Sequence, residues 1–170
     1  MGVETHKLDL GQLALASGEG RRLDLETRVE PLVLAGQHYA SEAAVPVRID
    51  LSRTTSGYSL RLRADVALGG PCMRCLERAD REVSIDAREV DQPGGGEDLS
   101  SPYVDGDELA LGAWMRDALA LALPAQIVCR EECRGLCAIC GENLDSAGPE
   151  HGHEPEPDPR WAALRELRLE

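Results

Sequence analysis

YSLRLRADVAL, at residues 58–68, is the most regular segment of this chain. Apolar side chains occupy every second position from Tyr58 to Leu68, and arginine or aspartate fills three of the positions between them. A period of two predicts a β-strand with one face on an apolar core and the other in water. The core must be largely aliphatic, because the 170-residue chain has two Trp, three Tyr and no Phe.

Other segments on both sides carry the same alternation. They lie at residues 45–51, 83–87, 23–29 and, most weakly, 8–10. Short turns rich in Gly, Ser and Thr separate the clearest strands, which predicts antiparallel pairing. Pro46 lies inside a predicted strand, and because proline cannot donate to a strand ladder we expect that strand at a sheet edge.

A helical pattern follows a flexible, glycine-rich break after residue 91. Apolar residues recur at three- and four-residue steps from Leu111 onward, which predicts an amphipathic helix packed on the sheet. The predicted helix spans 107–124, with Asp105 or Asp107 capping its first amides and Pro124 at its end.

Acidic residues outnumber basic ones by 31 to 18, which gives a net charge of −13. That charge argues against a polybasic coat on nucleic acid. The imbalance is uneven, because residues 1–90 carry 12 basic and 14 acidic side chains whereas residues 91–170 carry 6 and 17. The strand-rich part is nearly neutral and projects arginines, so a basic face on the sheet is not excluded.

The chain has no run of about 18 apolar residues, and its first residues do not lead into an apolar segment. We therefore expect neither a membrane helix nor a secretory signal. The expected location is the cytoplasm, where clustered cysteines are more often reduced metal ligands than disulfides.

Six cysteines carry the chemistry of the chain, and four of them form two Cys-x-x-Cys pairs. The pairs are Cys72 with Cys75 and Cys137 with Cys140, and Gly141 follows the second. This is the pattern of a zinc knuckle, in which two thiolates bind one ion from a tight turn whose amides donate to the sulfurs. Glycine after the second cysteine permits the backbone to fold under the metal.

Zinc takes four ligands, and two sets of cysteines supply that number. The local set lies within twelve residues and consists of Cys129, Cys133, Cys137 and Cys140. The alternative set joins the second Cys-x-x-Cys pair to Cys72 and Cys75. His151 and His153 could replace a thiolate or serve a second site, but their acidic, proline-rich surroundings favour solvated side chains.

A redox function of Cys72 and Cys75 is an alternative to metal binding, because Arg74 between two thiols would favour a thiolate. The predicted antiparallel flanks differ from the βαβ setting of a thioredoxin-type pair. The sequence also has no phosphate-binding glycine loop, no Gly-x-Ser-x-Gly element and no evident pattern of catalytic histidines. We therefore expect that the protein is not an enzyme.

The expected fold class is α+β. It combines an antiparallel, strand-rich body and one packed helix with a C-terminal Cys-rich zinc-binding segment and a short terminal helix. Asp158 would cap that terminal helix and Trp161 would anchor it. Six segments are predicted along the chain. The β-rich body with its Cys-x-x-Cys corner spans 1–91, a flexible loop spans 92–106 and the packing helix spans 107–124. The Cys-rich segment spans 125–145, an acidic Pro-rich linker spans 146–157 and the terminal helix spans 158–170.

Four features occur in a distinctive order along the chain. They are Cys72-x-Arg74-Cys75-Leu76, a Leu/Ala-rich helix ending in Leu-Pro, the cysteine segment with Gly135-Leu136-Cys137-x-x-Cys140-Gly141-x-Asn143-Leu144, and Asp158-Pro159-Arg160-Trp161. This order resembles the YceD family, the large ribosomal RNA subunit accumulation protein family. The resemblance implies a role in accumulation or processing of large-subunit ribosomal RNA and leaves the mechanism open.

With this resemblance we expect a binding or assembly factor. In one hypothesis an arginine face that includes Arg61, Arg63 and Arg74 contacts ribosomal RNA or a pre-ribosomal particle, while the acidic tail engages a basic ribosomal protein. In a second hypothesis the protein is an adaptor that contacts only proteins. In a third it is a thiol-redox protein that uses Cys72 and Cys75.

Overall fold

The structure, a computed structural model, describes residues 5–96 and 99–153. Its main sheet has four antiparallel strands in the order β2-β5-β6-β7. These strands span Gly20–Thr27, Val45–Arg53, Tyr58–Pro71 and Arg78–Asp91. Every second side chain is buried from Val45 to Leu51 and from Tyr58 to Leu68, so the predicted alternation and the antiparallel, strand-rich body are confirmed.

Strand β5 lies inside the sheet, between β2 and β6, so the expectation that Pro46 marks an edge strand is wrong. Pro46 pairs with Glu26 of β2, whereas the pairing with β6 begins one residue later, between Val47 and Ala64. The proline therefore lies beyond the end of the β5–β6 ladder and removes no hydrogen bond from it.

Strands β6 and β7 form a hairpin that positions the first pair of cysteines. Their ladder runs without a break from Tyr58 opposite Asp91 to Pro71 opposite Arg78. The chain reverses through residues 72–77, and the Cys-x-x-Cys corner is therefore the tip of a long, fully paired hairpin.

A smaller hairpin supports this tip. Its strands are β3 (Leu32–Leu34) and β4 (Gln37–Tyr39). Tyr39 is fully buried, and its hydroxyl donates to the Pro71 carbonyl at 2.8 Å. A Cβ atom at Gly70 would lie 2.2 Å from the Tyr39 ring, so glycine is required where the two hairpins meet.

One helix packs on the sheet, as predicted. Helix α1 spans Leu111–Ala122 and lies against β7. The predicted apolar stripe is buried except for its last member, Ala122, which is exposed; the buried residues are Leu111, Trp114, Met115, Ala118 and Leu119. Burial of this stripe and of the inner sheet face forms one continuous aliphatic core.

The helix begins at Leu111 rather than at residue 107, because the preceding residues form strands. Strands β8 (Val104–Asp105) and β9 (Glu108–Leu109) pair as a hairpin. Strand β1 (Leu8–Asp9) pairs with the other edge of β9, and a one-turn 3-10 helix follows β1. Asp107 lies in the turn of that hairpin, and its carboxylate accepts the Tyr58 hydroxyl at 2.7 Å. Among the residues that the structure describes, no side chain caps the helix start at Ala110.

Within the described ranges, no helix has the length and apolar character needed to cross a membrane. The predicted terminal helix at 158–170, with Asp158 and Trp161, lies outside the described residues.

Candidate metal centres

The tip of the β6–β7 hairpin is a tight turn that presents two thiols. The Cys72 amide donates to the Glu77 carbonyl at 2.7 Å, and the Leu76 amide donates to the Cys72 carbonyl at 3.0 Å. The Arg74 amide points to the Cys72 sulfur at 3.4 Å. Leu76 completes the turn with a φ of 63°, in the left-handed region that favours glycine.

Two further cysteines from the segment after α1 meet this turn. Cys133 Sγ lies 3.8 Å from Cys72 Sγ, and Cys129 Sγ lies 3.7 Å from Cys75 Sγ. All four sulfurs lie within 4.8 Å of one another, and we call these residues the first cluster. Four bonds of about 2.3 Å to a tetrahedral Zn²⁺ place sulfurs about 3.8 Å apart, whereas a disulfide holds two sulfurs about 2.05 Å apart. The spacing therefore fits a tetrahedral metal ion.

Arg74 joins the turn to the segment after the helix. Its guanidinium donates to the carbonyls of Glu131 and Cys133, at 3.1 and 3.0 Å. It also donates to Gln126 Oε1 at 2.9 Å. The sequence-based hypothesis assigned Arg74 to an RNA-contacting face, and the structure places its guanidinium against the loops that carry the first cluster.

Burial and amide donors act in opposite directions on these thiols. Burial raises the pKa of Cys75, Cys129 and Cys133. Burial also acts to raise the pKa of Cys72, but the amide donors around its sulfur outweigh it and lower the pKa to about 6. One thiolate is thus available near neutral pH, and a bound cation would ionise the other three. Four protein ligands leave no open position, which is the form of a structural site.

The second Cys-x-x-Cys pair repeats the turn of the first. The Cys137 amide donates to the Glu142 carbonyl at 2.8 Å, and the Gly141 amide donates to the Cys137 carbonyl at 2.8 Å. Gly141 stands where Leu76 stands in the first turn, and its φ is 76°. The two turns therefore share one hydrogen-bond pattern and one left-handed residue after the second cysteine.

The second turn is docked on the first. The Leu136 amide donates to the Arg74 carbonyl at 3.2 Å, and the Asn143 side chain donates to the Glu77 carboxylate at 2.9 Å. Gly135 permits this approach, because its φ is 79° and a Cβ atom there would lie 3.0 Å from the Arg74 carbonyl oxygen.

Cys137 and Cys140 meet two histidines. Cys140 Sγ lies 3.6 Å from His151 Nε2 and 3.3 Å from His153 Nε2. The four ligand atoms lie within 4.8 Å of one another, and we call these residues the second cluster. The Cys140 amide and the His151 ring lower the pKa of Cys137 to about 6.

The six cysteines are therefore divided between two clusters. Of the predicted local set, Cys129 and Cys133 lie in the first cluster, and Cys137 and Cys140 lie in the second. The alternative set, which pairs the two Cys-x-x-Cys turns on one ion, is not brought together either. The histidines that composition predicted to be solvated complete the second cluster.

Comparison with known proteins identifies the family. The model of the YceD family, described as large ribosomal RNA subunit accumulation protein YceD, matches residues 60–168. This chain belongs to the YceD family. The match begins in β6 and includes all the residues of both clusters.

Several proteins are related to this chain at moderate sequence identity. An uncharacterized protein of Mycobacterium tuberculosis is 34% identical over 160 residues, which cover 93% of this chain and 68% of that protein. One from Mycobacterium leprae is 28% identical over 135 residues, 74% of this chain and 61% of that protein. A Zea mays protein named large ribosomal RNA subunit accumulation protein YCED homolog 1, chloroplastic, is 30% identical over 78 residues, 46% of this chain and 23% of the maize protein. No solved structure matches the chain.

The outer sheet face of this YceD-family chain carries arginines that are paired with carboxylates. Arg61 donates to Asp86 at 2.7 Å, and Arg63 donates to Asp50. Two further pairs on this face are Arg22 with Asp50 and Arg48 with Asp24. Each pairing neutralises the charge of its arginine, and Asp50 pairs with two of them. The face therefore presents alternating charges rather than a basic patch.

Proposed function

We propose that this protein is a non-enzymatic, cytoplasmic factor in ribosome biogenesis that supports accumulation or processing of large-subunit ribosomal RNA. The family match over residues 60–168 carries the proposal. The name of the maize relative supports it, because that protein is named for accumulation of the large ribosomal RNA subunit.

We further propose that the first cluster holds a structural Zn²⁺ ion through Cys72, Cys75, Cys129 and Cys133. The sulfur separations of 3.7 and 3.8 Å support this assignment, and an all-thiolate donor set selects zinc over the hard cations Mg²⁺ and Ca²⁺. The ion would cross-link the tip of the β6–β7 hairpin to the segment after α1, so that its binding energy contributes to folding. A closed site offers no position to a substrate, which agrees with a binding function.

Two modes of contact with a pre-ribosomal particle are compatible with this role. Arg61 and Arg63 would contact ribosomal RNA directly in the first mode. The pairing of both arginines with Asp86 and Asp50 favours a second mode, in which the acidic C-terminal half binds a basic ribosomal protein. In the second mode the protein is an adaptor, and the level of ribosomal RNA responds indirectly.

Gene deletion and complementation test the proposed role. Cells that lack the gene should have a lower ratio of large-subunit to small-subunit ribosomal RNA, and the wild-type gene should restore it. Cys75→Ser, which removes one ligand of the first cluster, should not restore the ratio, whereas Arg81→Ala at an exposed position of β7 should. An unchanged ratio in the deletion strain overturns the proposal.

Recovery of partners on the tagged protein separates the two modes. Recovery of large-subunit ribosomal RNA that is lost in an Arg61→Gln/Arg63→Gln variant supports direct contact. Recovery of ribosomal proteins that survives nuclease treatment and both substitutions supports the adaptor. Rapid alkylation of Cys72 or Cys75 in the zinc-saturated protein would instead support the thiol-redox alternative.

A further inference from the structure

We infer that Cys137, Cys140, His151 and His153 form a second Zn²⁺ site, which exchanges its ion more readily than the first cluster. The site shares no ligand with the first cluster and does not depend on the proposed ribosomal role. Two thiolates and two imidazoles are an established tetrahedral set for zinc, whereas Mg²⁺ and Ca²⁺ prefer oxygen ligands.

The spacing of the donor atoms fits one tetrahedral ion. Bonds of about 2.3 Å to sulfur and 2.0–2.1 Å to nitrogen separate these two ligand atoms by about 3.6 Å. Cys140 Sγ lies 3.6 Å from His151 Nε2 and 3.3 Å from His153 Nε2. The two rings meet edge to face with centroids 4.9 Å apart, and both turn the same nitrogen toward the sulfur. The donors therefore converge on one point.

Glu142 holds His151 in a ligating orientation. Its Oε2 lies 3.2 Å from His151 Nδ1. When Nδ1 donates its proton to this carboxylate, Nε2 keeps its lone pair and faces the thiols. A carboxylate or carbonyl that accepts from the second ring nitrogen accompanies nearly all histidines bound to metals. One of the two histidines of the second cluster therefore has the supporting partner that is usual for a metal ligand.

Apolar packing does not explain why residues 148–153 lie against the second turn. Their sequence, GPEHGH, has Pro149 as its one apolar side chain, and Pro149 is exposed like most of these residues. The His151 side chain is nevertheless only 13% exposed. Bonds to a shared ion would replace the missing apolar contacts and fix this acidic segment on the turn.

The two sites differ in the solvent exposure of their cysteine and histidine side chains. Cys72 and Cys75 of the first cluster are buried, whereas Cys140 and His153 of the second are exposed. A chelator can reach an ion in the second cluster directly, but reaches one in the first only after local opening of the fold. We therefore expect rapid release of one ion and slow release of the other.

Zinc content and release kinetics of the full-length, zinc-loaded protein test the inference. Wild type should hold about two ions per chain and release about one rapidly to excess EDTA. The His151→Ala/His153→Ala variant should hold about one ion, released slowly. A matched His6→Ala/His38→Ala variant changes two exposed histidines outside the cluster and should behave as wild type.

Three other outcomes would contradict the inference, and zinc content distinguishes them from one another. A wild type with about one ion, unaffected by the double substitution, overturns the second site and leaves the first standing. A double variant that keeps both ions also overturns it. A wild type without zinc overturns both sites.

Glu142→Gln tests the site while keeping all four ligands. It should weaken binding of the second ion about 10–100-fold and leave release of the first unchanged. Unchanged affinity for the second ion would contradict the role of Glu142 in orienting His151.

Discussion

Arg74→Ala distinguishes a role in building the first cluster from a role in RNA contact. The guanidinium donates to the carbonyls of Glu131 and Cys133, at 3.1 and 3.0 Å, and so holds the segment that supplies half of the ligands. One of these bonds is exposed and the other half-buried, and each is worth about 1 kcal/mol, so their loss costs about 2 kcal/mol. At about 1.4 kcal/mol per factor of ten, the zinc affinity of the first cluster should fall about 30-fold.

Equilibrium competition with a chromogenic chelator measures that affinity, and urea unfolding measures the stability of the loaded protein. Arg74→Lys keeps the positive charge but lacks the planar guanidinium group, and it should recover about half of the lost free energy of zinc binding. Arg81→Ala is the exposed control and should change neither quantity. The reasoning is refuted if Arg74→Ala leaves zinc affinity and unfolding unchanged and abolishes recovery of ribosomal RNA.

Three further replacements test the fold. Leu76→Gly should raise the free energy of unfolding by about 1 kcal/mol in urea, because a φ of 63° strains a leucine that is largely exposed; a decrease would contradict this. Trp114→Ala should cost about 3–5 kcal/mol in thermal unfolding, whereas Trp114→Phe should cost much less, because the buried indole N–H has no partner among the described residues. Hydrogen bonding to Arg22 holds the pKa of Asp50 below its usual 3.8, so the ionised carboxylate stabilises the fold above that pH, and the stabilisation is lost as the pH falls through the lowered pKa. Asp50→Asn should therefore flatten the acid limb of stability against pH, and an unchanged limb would contradict the pairing.

The central strands were predictable because a sheet with one buried face and one solvent-exposed face imposes a period of two on the sequence. Their extension was not, because Gly69, Gly70 and Pro71 have the composition of a corner. In the structure these three residues continue β6, and the close approach of the Tyr39 ring explains the glycine at position 70. The predicted helix start at Asp107 was wrong for a similar reason, because an aspartate before an apolar stripe is typical of a helix cap and also of a hairpin turn.

The two knuckle turns were predictable from their local sequence, whereas the partners of each turn were not. Cys72 and Cys133 are 61 residues apart, and the packing of α1 on the sheet brings them together. Composition favoured solvated side chains for His151 and His153. The available signal was the order Cys-x-x-Cys followed by His-x-His, which supplies four zinc ligands in one short segment.

X-ray absorption at the zinc edge tests most directly whether the cysteines are divided between two zinc centres. Because one site has four sulfurs and the other two sulfurs and two nitrogens, the loaded full-length protein should show an average shell of about three sulfurs at about 2.3 Å and one nitrogen at about 2.0–2.1 Å. The His151→Ala/His153→Ala variant should show sulfur alone. A sulfur-only shell in the wild type, with about one zinc per chain, would contradict the division.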